Sequence, residues 1–171
     1  MIKFISLLFI ALLFTNCSTK NLSPVNVTDY FWTAQQEKKL DDAKKFVRER
    51  DSKNVALQKS IKIKRFTFQD AKIDGDEATV PTTMYLEGMF SKKRKDEVQV
   101  DFDTYLQKTD DGWKVNLTET KKALYIEVAK RFTKGLGAGI LSEIQNKMGD
   151  LKQFQSIFEE MIQGMKKSLG K

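Results

Sequence analysis

The chain has 171 residues, room for one domain of ordinary size. Apolar residues make up 40% and charged residues 31%, with 9 Gly and 2 Pro, which excludes a disordered, fibrous or polytopic membrane chain. A single Cys excludes an internal disulfide, and the lack of any His excludes Ser-His and Cys-His nucleophile pairs and His-containing zinc sites.

At the N-terminus, Met1-Ile2-Lys3 supplies a short positive region, and residues 4–14 form an apolar run. That run is shorter than the roughly 20 residues a transmembrane helix needs and suits a secretory leader. Leu13-Phe14-Thr15-Asn16-Cys17-Ser18 follows, with the only Cys where a leader would be cut. It resembles a bacterial lipobox, although Phe14 and Asn16 depart from the small residues usual there. The resemblance implies lipidation of Cys17, removal of residues 1–16, and a membrane-anchored protein of the bacterial cell envelope. Ser18 after the Cys implies the outer membrane if the cell is Gram-negative. An ordinary leader with an incidental Cys is the alternative. Residues 17–27 are polar, carry Pro24 and read as a tether.

The expected domain covers residues 28–120. Thr28 can cap a helix holding Tyr30, Phe31, Trp32 and Ala34, and a second helical spacing follows at Leu40, Ala43, Phe46 and Val47. Two short helices with a join at residues 36–39 are expected. The period then changes from 3.6 to 2. Ile61, Ile63, Phe66 and Phe68 alternate with a slip at Arg65 that suggests a bulge. Asp74-Gly75-Asp76 is a hairpin signal, after which Ala78, Val80, Thr82, Met84 and Leu86 share one face. Pro81 points the other way and suggests an edge or bulged strand. Val98, Val100, Phe102, Thr104 and Leu106 form the next inner row, and Asp110-Asp111-Gly112 turns the chain into Trp113, Val115 and Leu117. Helices followed by an antiparallel meander define an α+β fold with N-terminal helices on a curved sheet.

Several of these stretches resemble a known family. Phe31-Trp32 with Ala34, and Leu40-Asp41-Asp42-Ala43-Lys44-Lys45-Phe46-Val47, look like the helix pair of the nuclear-transport-factor-2-like (cystatin-like cone) superfamily, in particular its small envelope lipoproteins of unknown function. Lys72-Ile73-Asp74-Gly75-Asp76-Glu77-Ala78-Thr79-Val80 resembles the central hairpin. Leu106-Gln107-Lys108-Thr109-Asp110-Asp111-Gly112-Trp113-Lys114-Val115 resembles the closing one. The resemblance covers about 90 residues. It implies the cone-shaped fold but no activity, since such cones host isomerases, dehydratases, ligand binders and interaction modules.

Enzymes of that family carry a carboxylate inside the cone. Here the alternation places no ionisable residue in the inner rows and puts Asp101, Asp103 and Tyr105 on the opposite face, with Tyr85 and Glu87. A non-enzymatic binding or interaction module is therefore expected, with no catalytic residue, metal or cofactor. An Asp/Tyr acid–base isomerase or dehydratase would need a buried Asp103 with a raised pKa. A carrier of a hydrophobic molecule or lipid would need a pocket lined by Trp32, Phe66, Phe68, Met84 and Phe102. In Ser91-Lys92-Lys93-Arg94-Lys95-Asp96, Lys92, Lys93, Arg94 and Lys95 form a basic tip suited to anionic head groups or to plain solubility. It lacks the interleaved aromatics of a nucleic-acid binder, and nucleic acid is not an expected partner.

Residues 121–171 read as amphipathic C-terminal helices, starting from Glu119 with Thr118 or Thr120 as cap and Leu124, Val128 and Phe132 spaced four apart. Gly135-Leu136-Gly137-Ala138-Gly139 interrupts them. Leu151, Phe158 and Ile162 belong to the apolar stripe beyond. Ten Lys/Arg against five Asp/Glu place most of the basic excess here. The stripe could cover the outer sheet face, pair with a protein partner or a second copy, or lie on a membrane surface.

Overall fold

Ser23 and Pro24 start the first helix, and both do so for local reasons. The Ser23 hydroxyl accepts a hydrogen bond from the Asn26 N–H at 3.2 Å, and Pro24 sits in the first turn, where its missing N–H costs nothing. Helix α1 (Pro24–Gln36) thus begins before Thr28, which is buried inside it and donates its hydroxyl to the Pro24 carbonyl. The expected tether of residues 17–27 is corrected accordingly: its last residues are helical, and Val27 is fully buried. This computed structural model describes residues 19–57, 61–87, 97–133 and the positions 156, 160 and 163. Cys17, the basic tip 92–95, and Leu151, Phe158 and Ile162 lie outside the described residues.

Helix α1 ends as expected, and α2 (Leu40–Lys44) follows. Between them Lys38 adopts φ 60, and the Lys38 and Lys39 N–H groups close back on the Gln35 and Ala34 carbonyls. That pattern of closure usually employs glycine. A short 3-10 helix (Glu49–Asn54) leads toward the sheet.

The sheet is antiparallel and contains β1 (Ile63–Phe68), β2 (Lys72–Asp74), β3 (Glu77–Glu87), β4 (Glu97–Thr109) and β5 (Gly112–Val115). Its order is β1-β3-β4-β5, with β2 also pairing with β3. The slip expected at Arg65 is present as a register shift between Ile63 and Arg65. Gly75 (φ 57) and Gly112 (φ 96) supply the left-handed positions of the two turns. Strand β3 is central, so the edge alternative raised by Pro81 is corrected. The irregularity offered as the other alternative is present: residues 69–71 stand opposite only Val80 and Pro81. Pro81 faces the gap where its partner changes from β1, ending opposite Thr82, to β2, beginning opposite Thr79. No ladder needs an N–H there, and the Pro81 carbonyl still accepts from the Gln69 N–H at 3.0 Å.

Helix α3 (Leu117–Thr133) starts earlier than Thr118 or Thr120 would allow. Asn116 caps it, its side-chain oxygen accepting from the Glu119 N–H and its carbonyl from the Thr120 N–H. The helix takes over where β5 stops. The Asn116 N–H donates to the Tyr105 carbonyl, and the Tyr105 N–H donates to the Thr120 hydroxyl, so α3 runs along the part of β4 that β5 leaves unpaired. Leu117, Leu124, Tyr125, Val128 and Ala129 join the same core as α1, so the fold includes these turns rather than ending at residue 120. The result is a cone-shaped α+β fold: helices packed inside a curled antiparallel sheet, with a further helix at the C-terminal side. Among the described residues no helix is long and apolar enough to cross a membrane.

Candidate functional site

The inner face of the sheet is filled by the protein's own side chains. Val80, Thr82, Met84, Leu86, Val100, Phe102, Thr104 and Leu106 are buried, as the alternation requires. Of the five residues expected to line a pocket, Trp32 and Met84 are fully buried, Phe102 is buried, and Phe66 and Phe68 pack partly buried at the margin. Trp32 meets Phe102 edge-on at 5.6 Å between ring centroids and Phe31 at 4.8 Å. Its indole N–H donates to the Thr104 hydroxyl at 3.0 Å. Thr104 lies 2.8 Å from the Thr82 hydroxyl, which donates to the Val80 carbonyl. The structure therefore brings Trp32, Met84 and Phe102 together as packing, and places Phe66 against Phe68 at 5.2 Å.

The outer face is different. A groove of about 550 Å³ lies between β3, β4 and the outward flank of α3, lined by residues including Pro81, Thr83, Asp101, Asp103, Tyr105, Ile126 and Lys130. The outward row read from the sequence supplies its floor. What spacing within one element does not show is that α3 turns that row into a concavity, and Gln69, Ala123, Ile126, Glu127 and Lys130 were not singled out beforehand.

Most groove charges are already matched. The Asp101 carboxylate accepts from the Thr83 hydroxyl at 2.7 Å and the Gln99 amide at 3.0 Å, and Arg131 stands 3.7 Å away. These hydrogen bonds, that of Thr83 first, hold its pKa below the usual value and keep it ionised. Lys130 pairs with Glu127 at 2.6 Å. Burial, then the charges of Asp103 and Glu119, push the Tyr105 phenol above its ordinary pKa, so it stays protonated as a donor. Asp103 is half-buried and has no hydrogen-bond or ion-pair partner among the described residues.

Two polar ties hold the surrounding frame. Arg48 and Asp51 form a buried ion pair at 2.8 Å; Arg48 also donates to Asn116 and Gln107, and Asp51 accepts from the Leu117 N–H and the Thr118 hydroxyl. The fully buried Lys121 donates to the Asn54 and Ala56 carbonyls, and burial lowers its pKa to about 8. Among the described residues no group of carboxylate or Cys side chains is placed to hold a metal ion.

No protein-family model and no curated protein matches the sequence. Among solved structures, the chain is similar to the solution structure of a SEC-C motif containing protein from Rhodopseudomonas palustris. The identity is 13% and the TM-score 0.44, over 54% of this chain and 74% of that one. It is also similar to an NTF-2-like protein of unknown function from Shewanella oneidensis MR-1, at 16% identity and TM-score 0.36, over 53% of this chain and 89% of that one.

Proposed function

We propose that the protein is a lipoprotein of the bacterial cell envelope, anchored through Cys17, whose domain is a non-enzymatic binding or interaction module. The observation that carries the binding role is the contrast between the two sheet faces. The inner face, where a carrier would hold its cargo, is occupied by Trp32, Met84 and Phe102, whereas the outer face is concave and open. Chemistry finds little support in the groove. Asp101 is held ionised by Thr83 and Gln99, which unsuits it as a general acid, and Asp103 lies half-buried on the outer face rather than inside the cone. The anchor rests on the lipobox resemblance around Cys17.

The test is a photo-crosslinking amino acid placed in the full chain in living cells, at Thr83 in the groove and at Ile73 on the far hairpin. A discrete higher-mass adduct at Thr83 and none at Ile73 is expected. Equal labelling at both, or none at Thr83, would remove the groove as a binding surface.

A further inference from the structure

We infer that the groove takes a Lys or Arg side chain presented by a partner polypeptide, with Asp103 as its counter-ion; this rests on the reading of the outer face as a binding surface. The charges around the groove are not a uniform acidic field. Asp101 is satisfied by Thr83, Gln99 and Arg131, and Glu127 by Lys130, which leaves Asp103 as the carboxylate without a partner among the described residues. A half-buried carboxylate of this kind is best met by a charge-assisted donor, an ammonium or guanidinium group. The phenol ring of Tyr105, two residues on along the same face, offers a cation its π surface and the ligand a hydroxyl donor.

The stem of such a side chain also finds its match. Pro81 stands directly opposite Asp103 in the β3–β4 ladder. Thr79 and Tyr105 are the next such pair, and the main-chain groups of Tyr105 point away from β3, to Asn116 and Thr120. Asp103 therefore shares the non-hydrogen-bonded geometry, in which opposing side chains approach most closely. Pro81 and Ile126 of α3 line the same groove as Asp103 and supply apolar surface there. Methylenes of a Lys or Arg pack on such surfaces while the head group reaches the charge.

A polypeptide fits better than a free amine because β5 pairs with β4 only from Leu106 onward. At Tyr105 the outward main-chain groups are taken by Asn116 and Thr120, but over residues 97–103 β4 has a strand neighbour on one side alone and no such bond among the described residues. Its main chain there offers groups that an extended peptide can meet and an amine cannot. The groove volume of about 550 Å³ also exceeds what one basic side chain fills.

Fluorescence anisotropy on the full chain in detergent tests this, using a fluorescein-labelled Gly-Val-Arg-Val-Gly peptide and its counterpart with norleucine in place of Arg. The Arg peptide is expected to bind about tenfold or more tightly than the norleucine one. Asp103→Asn should erase that preference, and Asp110→Asn, on the distant turn, should leave it. Matched thermal unfolding of Asp103→Asn and the wild type separates lost binding from lost folding. Equal binding of the two peptides, or an undiminished preference in Asp103→Asn, would overturn the inference. Competition by agmatine at the peptide's own affinity would overturn the polypeptide assignment. If crosslinks form at Thr83 while the peptides show no Arg preference, the binding surface stands and the partner's chemistry is wrong. If no crosslinks form, the surface itself falls.

Discussion

Lys121 shows how a cation sits in an apolar core. Its ammonium reaches the Asn54 and Ala56 carbonyls, so the side chain closes the C-terminal end of the 3-10 helix Glu49–Asn54 from a neighbouring helix. Burial disfavours the charge and lowers the pKa from 10.5 to about 8, while Asp51 partly opposes that shift. A neutral amine keeps two N–H groups, one for each carbonyl, so deprotonation retains both bonds and removes the charge. The unfolded chain holds this proton up to its ordinary pKa, and the folded chain releases it earlier. Stability from this group therefore rises with pH between about 8 and 10.5, and below about 8 the cost of the buried charge is present in full. Chemical unfolding of wild type and Lys121→Met across that range should show the wild type gaining on the variant, to a limit of about 3 kcal/mol. A difference that does not move with pH would show that Lys121 does not titrate there. None of this was legible in the sequence, where Lys121 stands beside Lys122 and reads as part of a solvated basic face. Only Lys122 remains on the surface, paired with Glu119 at 3.1 Å.

At the scale of elements, the strands were the most readable part, because alternation on a sheet with one buried face admits a single phase. The inner rows of β3 and β4 match residue by residue, and the bulge near Arg65 and the Gly75 and Gly112 turns fall where expected. Helix starts were less readable. Ser23-Pro24 and Asn116 are sound caps, but Thr28, Thr118 and Thr120 offer equally plausible hydroxyls a few residues later. Thr120 is drawn into another task, bonding to the edge of β4 at Tyr105. The join between α1 and α2 carries a further consequence. Lys38 occupies a left-handed position that disfavours any side chain with a Cβ, and its amide closes the helix end on Gln35. Lys38→Gly should raise the denaturant midpoint, equivalent to about 0.5–1 kcal/mol, because relief of that strain outweighs the added freedom of the unfolded chain. A lower midpoint would mean that the Lys38 side chain contributes more than its backbone costs.

The groove belongs to the whole molecule, since it needs the outward row of β3 and β4, the Pro81 gap and the flank of α3 at once, and no local pattern encodes their meeting. The same long-range placement separates attachment from folding. Leu22 already packs partly buried against the core and Ser23 caps α1, so core packing is present within five residues of Cys17 in the sequence. An acyl anchor at Cys17 would hold the cone close to the bilayer on a short leash, and its contribution would be to partitioning alone. Substitutions on either side of that boundary should therefore act on different observables. Cys17→Ala is expected to move the full chain from the membrane fraction to the aqueous phase in detergent phase separation, with an unfolding transition within about 0.5 kcal/mol of wild type. Leu22→Ser should leave partitioning unchanged and lower stability by about 1 kcal/mol, through lost apolar burial. Retention of Cys17→Ala in the membrane after an alkaline carbonate wash would locate the attachment elsewhere in the chain, with the amphipathic C-terminal stripe around Leu151, Phe158 and Ile162 as the next segment to delete.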